Sequence, residues 1–411
     1  MVLNYIWIGF FLLGFVTALI RLLFFQDMDV FPAMLDSTFE MSKTAFEISI
    51  YMTGVMSLWL GLMKIGEKGG MISILSRMVA PFFTRLFPEI PKDHPAMGSI
   101  VMNFSANLLG LDNAATPLGL KAMKEMQDIN KTSDTASNAQ IMFLVLNTSG
   151  LTVVPLTILI DRSVTGSVNP TDVFIPLLIA TFFSTLAGLI TVALYQKIRF
   201  DMVILAYLGS VTAVIMGMIA IFASLPQEQI GIISKVSSSI IIFSLIMTFF
   251  LLGLRKKINL YDTFIEGAKE GFEIAIKIIP FLVAILVAIG IFRTSGTLEF
   301  ISMGIKYVVS GFGGDTRFVD ALPTALLKPL SGGGARGMNL DIMKEFGPDS
   351  FEGRLSSIFR GATETTFYII AVYFGSVNIR KTRYAVTAGL IADLAGIIAA
   401  IFVAYLFFAR V

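Results

Sequence analysis

The sequence has no cysteine and a single histidine, His94. Disulfides, Cys/His zinc sites, iron–sulfur clusters and a thiol nucleophile are therefore excluded, and any bound cation would need oxygen ligands. No metal site is expected. His94 lies in the polar run Pro91-Lys92-Asp93-His94-Pro95; it reads as a loop histidine, with pH sensing as the alternative. Charge is also scarce, at 15% of 411 residues, against about a quarter in a soluble domain. The net charge of +2 gives no reason to expect a nucleic-acid partner. No nucleophile–base pair stands out, so an enzyme is not expected. Nor is a cofactor, beyond a coupling proton or Na⁺.

What is abundant is hydrocarbon. Hydrophobic residues make up 55% of the chain, and the mean hydropathy is +0.80. A water-soluble globule cannot hide that much apolar side chain, because surface does not shrink fast enough with size. The lipid bilayer is the expected partner and the fold an all-α polytopic membrane protein. Unbroken apolar runs cover residues 5–24, 48–63, 173–196, 202–223, 236–254, 278–292 and 384–408. Runs 139–160 and 355–379 are interrupted by polar residues at mid-depth. Stretches 97–126 and 318–346, rich in Gly, Pro, Asn and Ser, read as re-entrant hairpins. The first run begins at once without a basic leader and is expected to be an uncleaved helix. Segments 73–87 and 262–277 read as interfacial amphipathic helices.

Lys and Arg in short loops stay cytoplasmic. The clusters Lys197/Arg199, Arg255/Lys256/Lys257 and Arg380/Lys381/Arg383 then set a path of nine crossings and two hairpins. It starts inside, ends outside, and lies in the bacterial cytoplasmic (inner) membrane. The same chain order recurs. Phe46-Glu47-Ile48-Ser49-Ile50 matches Phe272-Glu273-Ile274-Ala275-Ile276, and Leu120-Lys121-Ala122-Met123-Lys124-Glu125 matches Leu340-Asp341-Ile342-Met343-Lys344-Glu345. Loop charge gives the two halves, 1–199 and 236–411, opposite directions, with 200–235 as connecting helix and loop. The expected architecture is two inverted repeats with broken transmembrane helices, a hallmark of secondary transporters with a site at the repeat interface.

Non-helical backbone is tolerated inside a bilayer only where protein buries it or a wet cavity adjoins it. Four stretches qualify and supply the candidate substrate-binding residues. They are Asn107, Asp112, Asn113 and Thr116 in the first hairpin, and Asn147, Thr148 and Ser149 in the first broken helix. The second half supplies Ser331, Gly333 and Arg336, then Thr363, Glu364, Thr365 and Thr366. Hairpin tips leave helix ends whose orphan amides attract oxyanions. Intramembrane acids are costly and usually carry function or have a partner; Glu364 either binds a coupling ion or pairs with Arg336. Asn, Thr and Ser at such places act as ligand contacts or as interhelical glue. Asp393, inside the last run, is a further candidate.

Two sets of motifs carry a resemblance. Lys92-Asp93-His94-Pro95-Ala96-Met97-Gly98 and Gly110-Leu111-Asp112-Asn113-Ala114-Ala115-Thr116-Pro117 resemble the spore maturation protein A family. Gly347-Pro348-Asp349-Ser350-Phe351, Thr363-Glu364-Thr365-Thr366-Phe367-Tyr368 and Ala371-Val372-Tyr373-Phe374-Gly375 resemble the spore maturation protein B family. The chain looks like a fusion of the two. Both resemble the wider nucleoside-recognition Gate family, which includes parts of concentrative nucleoside transporters and ferrous-iron permeases. The resemblance implies a membrane protein linked to spore-core dehydration in spore formers, without fixing its substrate. At Ser331-Gly332-Gly333-Gly334-Ala335-Arg336, Arg336 departs from the apolar residue relatives often carry. The expected activity is transport of a small solute, nucleoside-like or a small organic anion. An ion channel or permease, or a non-transporting scaffold for envelope or spore maturation, are the alternatives, and self-association stays open.

Overall fold

Long apolar runs without turn chemistry have one low-energy form in lipid, a helix that satisfies its own backbone. The computed structural model describes residues 2–91 and 93–409, and only the backbone of residues 2–3, 112–114, 227, 228 and 231. The first half comprises α1 (Val2–Phe25), α2 (Val30–Gly69), α3 (Met71–Leu86), α4 (Pro95–Leu108), α5 (Asp112–Asp128), α6 (Asn138–Ser149), α7 (Leu156–Val164) and α8 (Phe174–Gln196). After α9 (Met202–Ser224), the second half comprises α10 (Gln227–Arg255), α11 (Leu260–Thr294), α12 (Thr297–Gly311) and a 3-10 turn (Arg317–Ala321). It continues with α13 (Leu322–Leu327), α14 (Gly332–Phe346), α15 (Phe351–Gly361), α16 (Thr366–Ser376) and α17 (Ala385–Phe408).

The second half replays the first, element by element, with α9 between them. Gly70 (φ 91°) breaks α2 from α3, and Gly296 (φ 86°) breaks α11 from α12. Both glycines stand 24 residues beyond the Phe of the shared motif, Phe46 and Phe272. The left-handed backbone there admits glycine readily and a Cβ only with strain. Counterparts also run antiparallel. A Cβ on Gly290 of α11 would meet Ser37 and Met41 of α2, and one on Gly271 would meet Met56 and Ser57. The rings of Tyr195, late in α8, and Tyr384, just before α17, stack at 4.4 Å. Further along, Gly188 faces Ala392 and Gly396 faces Ser184. Equivalent helices pointing opposite ways are what an inverted repeat requires.

Among the described residues, seven helices are long and apolar enough to cross a membrane. Each corresponds to one of the seven unbroken runs, with α2 and α11 extending well before theirs. Two further pairs, α6 with α7 and α15 with α16, are half-helices joined by unwound backbone. Exposed Leu23, Phe24, Val214, Phe243 and Phe402 present the hydrocarbon surface a multi-pass membrane protein needs. Two expectations are corrected. Residues 262–277 are not a separate interfacial helix but the opening of α11, because nothing before Pro280 breaks the helix. The counterpart of α3 is instead α12, which the apolar runs did not reveal. His94 is not a plain loop residue: its Nδ1 accepts the Ala96 N–H at 3.3 Å, and Pro95 follows at N1. That is N-cap chemistry for α4.

The chain forms two compact units. One comprises Met1–Leu60, Thr157–Pro170 and Gly267–Arg360, so it holds the second hairpin with α7 and nearly all of α15. Its core includes Met52, Leu282, Leu286, Leu340 and Met343. The other comprises Gly61–Leu156, Thr171–Glu266 and Gly361–Val411, so it holds the first hairpin with α6 and α16. Its core includes Phe83, Ile100, Met123, Phe143, Leu189 and Phe374.

Candidate functional site

In the second of these units the first hairpin turns at residues 109–111, between helices of 14 and 17 residues. At 1.5 Å per residue each arm is shorter than the roughly 30 Å hydrocarbon core. Gly110 (φ 69°) makes the turn, and a Cβ there would lie 2.5 Å from the Val154 carbonyl. The Val153 N–H donates to the Leu108 carbonyl at 2.8 Å. The tip is thus stitched to the unwound stretch after α6. Beside it Asn107 Nδ2 donates to Asn147 Oδ1 at 2.8 Å, and Asn147 Nδ2 donates to the Phe143 carbonyl at 2.8 Å. The Tyr373 hydroxyl donates to the same Asn147 Oδ1 at 3.4 Å. Asn103 secures the hairpin's other arm through the Ala115 carbonyl, also at 2.8 Å.

The two unwound segments meet in this unit. Gly150, in left-handed conformation at φ 55°, ends α6. The Glu364 N–H donates to the Thr148 carbonyl at 2.7 Å, and a Cβ on Gly150 would sit 3.2 Å from Glu364 Cγ. Thr363, Thr365 and Thr366 are buried, whereas Glu364 is exposed. Thr366 Oγ1 donates to Asp393 Oδ2 at 2.7 Å, deep in the α16–α17 contact. Thr148 and Ser149 turn their hydroxyls back on the Val145 and Leu146 carbonyls at 3.0 and 3.3 Å. Thr116 is exposed on α5. The side chains of Asp112 and Asn113 lie outside the described residues.

Ser331, Gly333 and Arg336 belong to the other unit. Ser331 Oγ caps α14 by accepting the Gly334 N–H at 2.9 Å. Arg336 forks onto Asp161, with Nη2 to Oδ1 at 2.6 Å and Nε to Oδ2 at 3.0 Å. Arg360 Nη1 reaches the same carboxylate. Asp161 is wholly buried. From sequence alone Arg336 has only Glu364 as a candidate partner, and Asp161, right after an apolar run, looks like the end of that run. The signal was there in the position: Asp161 is the sixth residue of α7, one side of a broken helix. Two further residues join the hairpin network without having been assigned to the site from sequence: Asn103, and Tyr373 of a quoted motif, which joins the Asn107–Asn147 pair.

Asp349, from one of the quoted motifs, has a structural role in this same unit. It accepts from Ser167 Oγ at 2.6 Å, the Val168 N–H at 2.7 Å and Arg162 Nη2 at 2.9 Å. Partial burial alone would raise its pKa. The hydrogen bonds from Ser167 and Val168 and the charge of Arg162 outweigh that and hold the carboxyl below its ordinary value.

With this geometry in place, comparison with known proteins is informative. The chain is 42% identical to spore maturation protein A of Bacillus subtilis (strain 168) over 187 residues, which is 46% of this chain and 92% of that protein. It is 48% identical to spore maturation protein B of the same organism over 158 residues, which is 38% of this chain and 87% of that protein. The two matches cover different parts of the chain, as in a fusion of an A-like and a B-like protein. No solved structure matches. The family described as nucleoside recognition (Gate) matches residues 49–160 and 275–380, just over half of the sequence, and the chain belongs to that family.

Proposed function

We propose that this protein is a secondary transporter of the bacterial cytoplasmic membrane that carries a small polar solute, nucleoside-like or a small organic anion. The solute binds where the unwound segments of the two repeats meet, beside Asn107, Asn147 and Glu364. The N-terminus lies inside and the C-terminus outside, as loop charge directs. One observation carries the reading. Glu364 is exposed on a four-residue break between two helices of 11 residues each. Each of these helices is about 16 Å long at 1.5 Å per residue, about half the hydrocarbon core. A carboxylate inside an apolar membrane run is costly, and such acids mark solute or ion pathways by default. The two relatives are named for spore maturation, a process that solute movement across a membrane would serve.

Proteoliposomes test the proposal. Uptake of labelled nucleosides and small carboxylates is measured under proton and Na⁺ gradients, with protein-free liposomes as control. Saturable uptake is expected, and Glu364→Gln should abolish its dependence on the driving gradient. Uptake equal to that of empty liposomes across the panel would remove the transport reading. Normal coupled uptake by Glu364→Gln would remove the role of Glu364.

A further inference from the structure

The second hairpin carries a feature that the meeting of the unwound segments does not use. A cavity of about 470 Å³ is lined by Trp7, Phe281, Leu282 and Ile285, together with Gly333 and Arg336 of α14. That volume is within the range of small-molecule sites, about 300–1,000 Å³. Its polar groups are one-sided. The Arg336 Nε and Nη2 hydrogens go to Asp161 and to the sulfur of Met52, leaving the two N–H donors of Nη1 without a protein acceptor among the described residues. The N–H groups of Gly332 and Gly333 likewise have none, since Ser331 takes only that of Gly334. The Trp7 indole N–H is spent on the Ala284 carbonyl at 2.9 Å. Among the described residues no carboxylate lines the cavity, and Asn4 adds a polar side chain. Over Gly333 there is open space, with no heavy atom within 4 Å of where a Cβ would stand.

We propose that this cavity binds a small amphipathic carboxylate, its oxygens on Arg336 Nη1 and the first amides of α14 and its hydrocarbon body against Trp7, Phe281 and Leu282. Donors without acceptors select an oxyanion. The apolar wall selects a hydrocarbon body over a fully polar solute. The bare face of Gly333 lets that ligand reach the backbone. The inference goes beyond the transport proposal and does not depend on it, because its readout is binding. Lost flux with binding intact would fault the transport proposal alone.

The test is isothermal titration of the full chain in a maltoside detergent with hexanoate, hexanol and hexylamine, which share a body and differ in head group. Hexanoate should bind saturably, and the other two at least tenfold more weakly. Arg336→Gln should weaken hexanoate at least tenfold, but it also disturbs the partner of buried Asp161. Gly333→Leu is therefore the decisive variant. It fills the open space and adds a better helix former, so the unliganded protein should melt at or above the wild-type temperature while hexanoate binding falls at least tenfold. Four results would overturn the proposal: no hexanoate binding, equal binding of all three probes, unchanged hexanoate binding in Gly333→Leu, or a Gly333→Leu chain that melts below wild type.

Discussion

Two carboxylates in the same unit show how burial changes a residue's meaning. Asp161 has no exposure and serves two guanidiniums. Removing one partner of a buried ionic cluster costs about 3–5 kcal/mol, because charge is left buried without its counterpart. Asp161→Ala is therefore expected to lower the melting temperature in detergent sharply, and more than Glu364→Ala, whose carboxylate is exposed. Differential scanning fluorimetry of the two variants checks the order. Asp349 gives a pH prediction. Its pKa is depressed by folding from the ordinary 3.8, so the carboxylate stabilises the folded state above that value. The contribution is lost as pH falls through the lower folded pKa. Asp349→Asn should melt below wild type at pH 7, and the gap should narrow at pH values below 3.8; a gap that is constant with pH would contradict it. These residue-scale facts were only partly legible. Glu364, Asn107 and Asn147 stood out because polar groups inside apolar runs are conspicuous. Asp161 did not, because its partner Arg336 is 175 residues away and no local pattern records such a pairing.

Helices were easier to read than contacts. Lipid lets a spanning helix be apolar all round, so seven spans showed as unbroken runs, and the Gly, Asn and Ser clusters marked the breaks and hairpins. The bounds of α2 and α11 were missed, at 40 and 35 residues. Polar residues mimicked an interfacial helix at the start of α11 and ended the apolar run early in α2, yet they continue the same helices. Close packing between the repeat counterparts α8 and α17 depends on glycine. A Cβ on Gly188 would stand 2.9 Å from Val145 and 3.2 Å from Ala392. Gly188→Val should cost about 1–3 kcal/mol through overpacking, whereas Gly217→Val on α9, with nothing within 4 Å, should be tolerated. Gly119→Ala acts on the polar network: its Cβ would meet the Tyr373 hydroxyl at 2.3 Å and push it from Asn147. Solute binding should weaken more in this variant than thermal stability does, as paired titration and melting would show.

At the scale of the whole molecule, two repeats of opposite direction each contribute a hairpin and a broken helix. Each compact unit takes its hairpin with one half of each broken helix, so neither unit is a simple half of the sequence. That interleaving was not legible, since it depends on packing across hundreds of residues. Repeat order and inversion were, because loop charge and two short motifs record them. The absence of native cysteine allows the most direct test: single cysteines at Asp93 and Asp315, both exposed and each in the loop following an amphipathic helix, α3 or α12. A membrane-impermeant maleimide is applied to intact cells and to inverted vesicles. Inverted repeats predict opposite sides, with position 315 labelled only from outside and position 93 only from the cytoplasm. Labelling of both positions from the same side would contradict the inverted repeat and the carrier mechanism built on it.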